Sequence, residues 1–272
     1  MGLQILSPRS DFIFKRIFGD AKNTDILAAF LRSVLDLPES EYDRLTIIDP
    51  HLMRDTADGK LGILDVKLHT KSKKVIDIEI QILETPEMRE RIAFYLAKMV
   101  TEQIGKSEDY AAIKKTVCIL ITNYALIKEN KAYHNRYTLY DPKTASEFTD
   151  VMEVDVLELR KLRQGDGTEL GYWMQFLKSD REEELAMLAQ RSPQMKKAVG
   201  VLMELSADER TRMLYDAHEK ALRDEKSRLR GAEKNRTNEI ARKLLNRGRP
   251  IEEIVEDTGL SREEIEALRG NN

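Results

Sequence analysis

Cysteine and long apolar runs are almost absent from this 272-residue sequence, in which Cys118 is the only cysteine. A single cysteine excludes a disulfide framework and a zinc site built from cysteines. No stretch approaches the roughly 20 apolar residues of a membrane span, and the N-terminus lacks the basic and apolar regions of a signal peptide. We therefore expect a cytoplasmic protein without a membrane partner.

Aromatic residues and an excess of either charge are also scarce. Aromatics make up 6% of the chain, and the net charge is −3 although 34% of the residues are charged. This balance excludes a uniformly basic nucleic-acid binder, but it allows a local basic patch. The length is sufficient for one large domain or two smaller ones, each with its own core.

Apolar periodicity over the first part of the chain predicts the element order α-β-β-β-α-β. A short amphipathic segment and a helix that ends before Pro38 come first, and a fully apolar strand closes the series. RYTLYDP and VMEVDVLEL are two further strand candidates. The predicted helices are 11–20, 24–37 and 87–104, and the predicted strands are 45–52, 61–69, 75–82 and 116–122.

The composition changes near residue 165, and only helices are predicted beyond it. We expect a domain over 1–165 and a helical C-terminal region over 166–272, with a short helix-turn-helix-like tail at 250–270. The second tail helix carries Glu263, Glu264 and Glu266, whereas helices that read the major groove bring Arg, Lys, Asn or Gln. The tail is therefore interpreted as a packing module, or as part of a homo-oligomer interface formed by the helical region. The predicted helices are 169–190, 194–205, 207–247, 251–257 and 261–269.

The stretch VIDIEIQI, residues 75–82, alternates apolar and polar side chains, which is typical of a strand. Its polar face carries Asp77, Glu79 and Gln81. The preceding strand must pair with it so that both apolar faces point to the core, because a slip of one residue would bury the charges. A three-residue loop, 71–73, achieves this register.

This register makes a chemical prediction about the polar face. Lys67 lies opposite Asp77 and should form an ion pair with it, while Asp65 lies opposite Glu79. Directly opposed residues have Cβ atoms about 4.5–5.5 Å apart, so these two carboxylates could ligate one divalent cation. The alternative is a solvated sheet face without a metal.

Five segments carry a resemblance to a known family. They are SDFIFKRIFGD, DILAAFLRSVL, GKLGILDVKL, IDIEIQ and RERIAFYLAKMVTEQIGKSEDY, in this order within 7–125. The sequence resembles the PD-(D/E)XK nuclease superfamily and, more narrowly, the bacterial recombination-promoting nuclease and transposase family (Rpn type). The resemblance implies a restriction-endonuclease-like αβββαβ core with a mixed sheet. It also implies hydrolysis of DNA with Mg²⁺, or with Mn²⁺ or Ca²⁺ in its place.

The resemblance assigns roles by position. Asp65 matches the motif aspartate, Glu79 matches the acidic residue of the (D/E)XK triplet, and the backbone carbonyl of Ile80 would join them as a metal ligand. Gln81 lies where the superfamily usually has lysine. Glutamine can orient a water molecule by hydrogen bonding, but it carries no charge.

Another cation could substitute for the missing lysine, or the metal itself could supply the nucleophile by lowering the pKa of bound water. Lys67 shares the strand face, and Arg91 or Lys98 could reach the site from the following helix, where a solvated helix face is the alternative. Asp11 and Lys15 are four residues apart on the first helix, so they are either a structural pair or members of the site rim.

Three functions follow from these observations, and one of them is a protein-interaction role carried by the helical C-terminus. The leading hypothesis is a metal-dependent DNA endonuclease with low sequence specificity, linked to recombination or mobile elements. The alternative is a weakly active or inactive DNA-binding or regulatory protein with the nuclease fold. The presence of both Asp65 and Glu79 favours the enzyme, and Gln81 keeps the alternative open.

Overall fold

The computed structural model describes residues 4–48, 65–105, 107–163 and 165–269, except for the side chains of residues 225, 229 and 233. Within these residues the chain forms two compact units, 1–212 and 213–272. The strands of the first unit are β1 Thr46–Ile48, β2 Val66–His69, β3 Val75–Gln81, β4 Thr116–Thr122, β5 His134–Tyr140 and β6 Glu147–Glu158. The first helices are α1 Asp11–Phe18, α2 Thr24–Val34 and α3 Met88–Thr101. The later helices are α4 Glu169–Lys178, α5 Glu182–Leu188, α6 Pro193–Ala207, α7 Glu209–Asn246, α8 Ile251–Thr258 and α9 Arg262–Arg269.

The six described strands form one mixed sheet in the order β1-β2-β3-β4-β6-β5. β3 pairs antiparallel with β2 and parallel with β4, and β4 pairs parallel with β6. The element order α-β-β-β-α-β and the mixed α/β class are confirmed. Parallel pairing of β3 with β4 brings their carboxyl ends to the same edge of the sheet, where the candidate site residues lie.

The β2–β3 register agrees with the prediction where it is described. Lys67 pairs with Asp77, flanked by two apolar pairs, Val66 with Ile78 and Leu68 with Ile76. The Thr70 amide donates to the Lys74 carbonyl at 3.0 Å, so the loop comprises residues 71–73. Residues 61–64 and 49–52 of the predicted strands lie outside the described residues.

Glu41 holds this hairpin loop in place. Its carboxylate accepts hydrogen bonds from Thr70 Oγ1 at 2.6 Å, from Ser72 Oγ at 2.7 Å and from Lys74 Nζ at 2.5 Å. Burial alone would raise the pKa of Glu41, but these donors outweigh burial and lower the pKa to about 2. The loop that sets the register of the acidic strand is therefore fixed by a charged side chain from outside the hairpin.

We expect Glu41→Gln to lower the free energy of unfolding by about 2 kcal/mol at neutral pH, because hydrogen bonds to a charged group are lost. The folded pKa lies below the ordinary value, so this stabilisation is full above about pH 4.5 and is lost as the pH falls towards 2. Urea denaturation at pH 7 and pH 3 measures the difference. Glu39→Gln, an exposed neighbour, should have a smaller effect, and equal losses for both variants would contradict the prediction.

Helices α4 to α6 belong to the same compact unit as the sheet. Trp173 on α4 packs edge-on against Phe18 of α1 and Phe30 of α2, with ring centroids 5.9 and 6.1 Å apart. The predicted helix 169–190 is wrong in one respect, because it divides into α4 and α5. Ser179 is extended at the break, and its hydroxyl donates to Glu184 Oε2 at 2.8 Å in the first turn of α5.

The second unit contains most of α7 together with α8 and α9. Ala241, Ile254, Leu260 and Ile265 form its apolar core. Gly259 ends α8 with φ +69°, a conformation that favours glycine. After residue 165 the described chain contains helices and no strand, as expected, whereas the domain boundary at 165 stays a prediction. No helix among the described residues is long and apolar enough to cross a bilayer.

Candidate active site

Asp65 directly precedes β2, at the end of the hairpin that lies away from the loop. Its Oδ2 accepts a hydrogen bond from the backbone amide of Ile80 at 2.8 Å, which ties it to β3 across the strand pair. Its Oδ1 lies 2.9 Å from Lys15 Nζ of α1. Asp65 is thus fixed by a neighbouring strand on one oxygen and by a helix on the other.

The acidic face of β3 is buried rather than solvated. Glu79 is 3% exposed and Asp77 is fully buried, because α3 packs over this face with Ile92 and Leu96. One oxygen of each acid, Glu79 Oε1 and Asp77 Oδ1, has no hydrogen-bond partner within the described part of the chain. Buried polar oxygens without partners are costly in a folded protein, so this face is a candidate for binding a cation.

Burial and mutual repulsion make these carboxyls weak acids. Burial, followed by the charge of Asp65, raises the pKa of Glu79 to about 8. Burial also raises the pKa of Asp65, although Lys15 opposes it. The pKa of Asp77 is raised well above its ordinary value by burial and by the charge of Glu79. Strongly perturbed carboxyls that lie together are typical of functional sites.

Two cations from different helices contact the acidic pair. Lys15 reaches Asp65 from α1, and Arg91 Nη2 of α3 lies 3.6 Å from Glu79 Oε2. Burial tends to lower the pKa of Lys15, but the Asp65 carboxylate reverses this and raises it. Arg91 is itself held by a hydrogen bond from its Nε to the Tyr95 hydroxyl at 3.1 Å.

The predicted ion pair between Lys67 and Asp77 is wrong. The two residues are opposite each other, but Lys67 Nζ contacts Glu102 Oε2 at 3.1 Å, just beyond the end of α3. Asp77 instead accepts a hydrogen bond from the Cys118 thiol on β4 at 3.5 Å. A long lysine side chain can extend along the sheet and pair with a carboxylate that is less buried. The spacing of charges in the sequence does not reveal that Glu102 competes with Asp77 for Lys67.

The remaining candidates are distributed around the pair. Asp11 begins α1, and its charge raises the pKa of both Lys15 and Asp65, so it lies on the same side of the site. Gln81 ends β3, where its carbonyl accepts from the Asn123 amide at 3.1 Å. Lys98 is buried on α3.

Tyr124 is a residue that sequence analysis did not single out. It follows the end of β4, and its hydroxyl is buried without a hydrogen-bond partner among the described residues. Burial raises its pKa to about 12, while the charge of Arg91 partly opposes the shift. Its position at the carboxyl end of a parallel strand is the signal that could have found it.

The donor set fits a hard divalent cation. Asp65 and Glu79 offer carboxylate oxygens, and Glu79 Oε1 is without a partner among the described residues. Oxygen ligands of this kind are the ones that Mg²⁺, Mn²⁺ and Ca²⁺ prefer. No group of three or more His, Cys, Asp or Glu side chains in the described ranges is arranged to hold a metal.

An acidic pair, Asp65 and Glu79, thus lies beside β2 and β3 of an αβββαβ core. A family model described as PD-(D/E)XK nuclease family transposase matches residues 8–232. The chain belongs to this family, which indicates a nuclease, and PD-(D/E)XK nucleases generally use divalent metal ions. No curated protein and no solved structure matches the chain.

Proposed function

We propose that this protein is a metal-dependent DNA endonuclease with low sequence specificity that acts in recombination or the movement of mobile DNA. The observation that carries the proposal is the pair of the partly buried Asp65 and the buried Glu79, with Lys15 on one acid and Arg91 on the other. Membership of the nuclease family supports the reaction class.

Asp65, Glu79 and the backbone carbonyl of Ile80 would hold Mg²⁺, with Mn²⁺ or Ca²⁺ as substitutes. A metal at this position supplies Lewis-acid stabilisation of a phosphate and lowers the pKa of bound water. The raised pKa of Glu79 means that its proton must leave before the carboxylate can act as a ligand, so binding of the cation should be weaker at lower pH.

The residues of the chain have separate tasks in this proposal. Lys15 and Arg91 bring positive charge to the place where a phosphodiester would approach, and they orient the two carboxylates. Gln81 can orient the attacking water by hydrogen bonding. Lys15 thereby supplies from α1 the charge that the superfamily usually takes from a lysine at the position of Gln81.

Nicking of supercoiled plasmid by the purified full chain tests the function. With Mg²⁺ or Mn²⁺ we expect relaxed and then linear DNA from plasmids of unrelated sequence, and no product in EDTA. The yield of nicks should rise between pH 6 and 8.5 as Glu79, with its pKa of about 8, loses its proton. DNA that is bound but never cut with any of the three metals would refute the enzyme and favour a DNA-binding protein with the nuclease fold.

A further inference from the structure

An apolar groove lies on the other side of α3 from Glu79. It is a cavity of about 600 Å³ between α3 and the β5–β6 hairpin. Leu120, Val154 and Val156 form its floor, and Ile92 and Leu96 form its helical wall. The groove is therefore a continuation of the sheet face that α3 covers only in part.

Exposed apolar side chains continue from the groove along the hairpin. β6 begins to pair with β4 at Met152. The pairing of β6 with β5 continues further, to Glu147 opposite Tyr140. The β5–β6 hairpin therefore projects beyond the central strands. Phe148 on this projection is 84% exposed, and Tyr140 is 52% exposed. The β5–β6 hairpin thus carries exposed aromatic side chains on its projection and lines the apolar cavity nearer its base.

The charges of the groove argue against a nucleic acid as its occupant. Among the described residues that line it, the charged ones are Arg89 and Glu129, and they contact each other at 3.5 Å. Arg89 also donates to the Leu126 carbonyl at 2.8 Å. Phosphate backbones are bound by available Lys and Arg side chains, so this surface fits the apolar side chains of a protein partner.

The exposed area matches a contact between two copies of the chain. Tyr137 and Leu139 line the groove and are 43% and 44% exposed, and Tyr140 and Phe148 lie further along the hairpin. At about 150–250 Å² for a whole aromatic side chain, the three aromatic residues alone expose on the order of 350 Å². Two copies together then supply most of the roughly 1,000 Å² that a stable interface needs, before any surrounding polar surface is counted.

We propose that the groove is the interface of a homodimer, in which the hairpin of each copy, with Phe148 and Tyr140, inserts into the groove of the other. A twofold contact is self-complementary, since each copy donates a protrusion and accepts one. A pocket of roughly 300–1,000 Å³ accepts a drug-sized molecule, which is larger than an aromatic side chain. The groove, at about 600 Å³, is therefore large enough to hold the aromatic side chains of the hairpin. This inference does not depend on the nuclease activity.

Sedimentation equilibrium of the full chain over a concentration series tests the dimer. We expect twice the mass of the chain, and we expect Phe148→Ser to raise the dissociation constant roughly tenfold or more, as for other central aromatic contacts. Tyr110→Ser is the matched control, because Tyr110 is 79% exposed in a 3₁₀ helix and does not line the groove, and it should leave the dissociation constant unchanged.

Ala93→Trp is a second variant that acts from the opposite wall. Ala93 lines the groove from α3, so a tryptophan there fills the cavity without removing any contact of the monomer, and the dimer should weaken while the circular dichroism of the fold stays the same. A monomer at every concentration would overturn the proposal, as would a dimer that neither variant weakens. A monomer that binds a hydrophobic dye, and loses it in Ala93→Trp, would also overturn it and assign the groove to an apolar small molecule.

Discussion

Glu79→Gln should reduce plasmid nicking by at least about 10³-fold, because a metal ligand in a water-poor site contributes several kcal/mol to the transition state. Asp65→Asn should have an effect of the same order. Both substitutions keep the shape of the side chain and the neighbours described above, so a loss of activity reports the missing negative charge. Glu90→Gln, on the exposed first turn of α3, is the matched control and should cut normally.

The stability of Glu79→Gln separates this chemical role from a structural one. The folded pKa of Glu79 is about 8, above its ordinary value of 4.5. Its ionisation therefore opposes folding progressively as the pH rises from 4.5 through 8. Without metal, the variant should be more stable than the wild type at pH 8.5, by on the order of 2–4 kcal/mol, and nearly equal to it at pH 4.5.

Denaturation in EDTA at the two pH values measures this difference, beside the nicking assay on the same preparations. A protein that is more stable and yet inactive is the expected outcome, since active sites often keep charges that destabilise the fold. Glu79→Gln with normal nicking would remove Glu79 from the active site. A variant that is inactive but less stable at pH 8.5 would assign Glu79 a structural role.

Local pattern predicted much of the hairpin that holds these acids. Alternation over residues 75–82 and the three-residue loop together determine which side chains are opposite each other, and the pairs from Val66 to Leu68 agree with that register. Register is a local property, because a slip by one residue would move every side chain to the wrong face. The sequence therefore predicts the face that Glu79 occupies and its nearness to Asp65.

Contacts between distant segments could not be predicted in the same way. Lys15 and Asp65 are fifty positions apart in the sequence, and Lys67 and Glu102 are separated by thirty-five. Their pairing depends on how the helices pack against the sheet, which the spacing of charges does not encode. The sequence likewise leaves the burial of the acidic face undecided. The same alternation of apolar and polar residues is found in a strand that faces water and in a strand that is covered by a helix such as α3.

Lys15→Met should lower nicking by roughly 10²–10³-fold, the usual cost of removing one electrostatic contact at a reacting phosphate. Methionine keeps the apolar length of the side chain, so α1 should pack as before. Lys22→Met, on an exposed position shortly after α1, is the matched control and should cut normally. The measurement is the initial rate of nicking at saturating metal, so that a change in metal affinity does not hide the effect.

Rescue by a second substitution shows whether the charge itself is what Lys15 supplies. Gln81→Lys restores a lysine at the superfamily position, and in the Lys15→Met background it should recover a large part of the lost rate. A purely structural lysine on α1 would not be replaced from the end of β3, because the two side chains belong to different elements. Failure of the rescue, with the fold intact by circular dichroism, would mean that Lys15 positions Asp65 and that the missing charge comes from Arg91 instead.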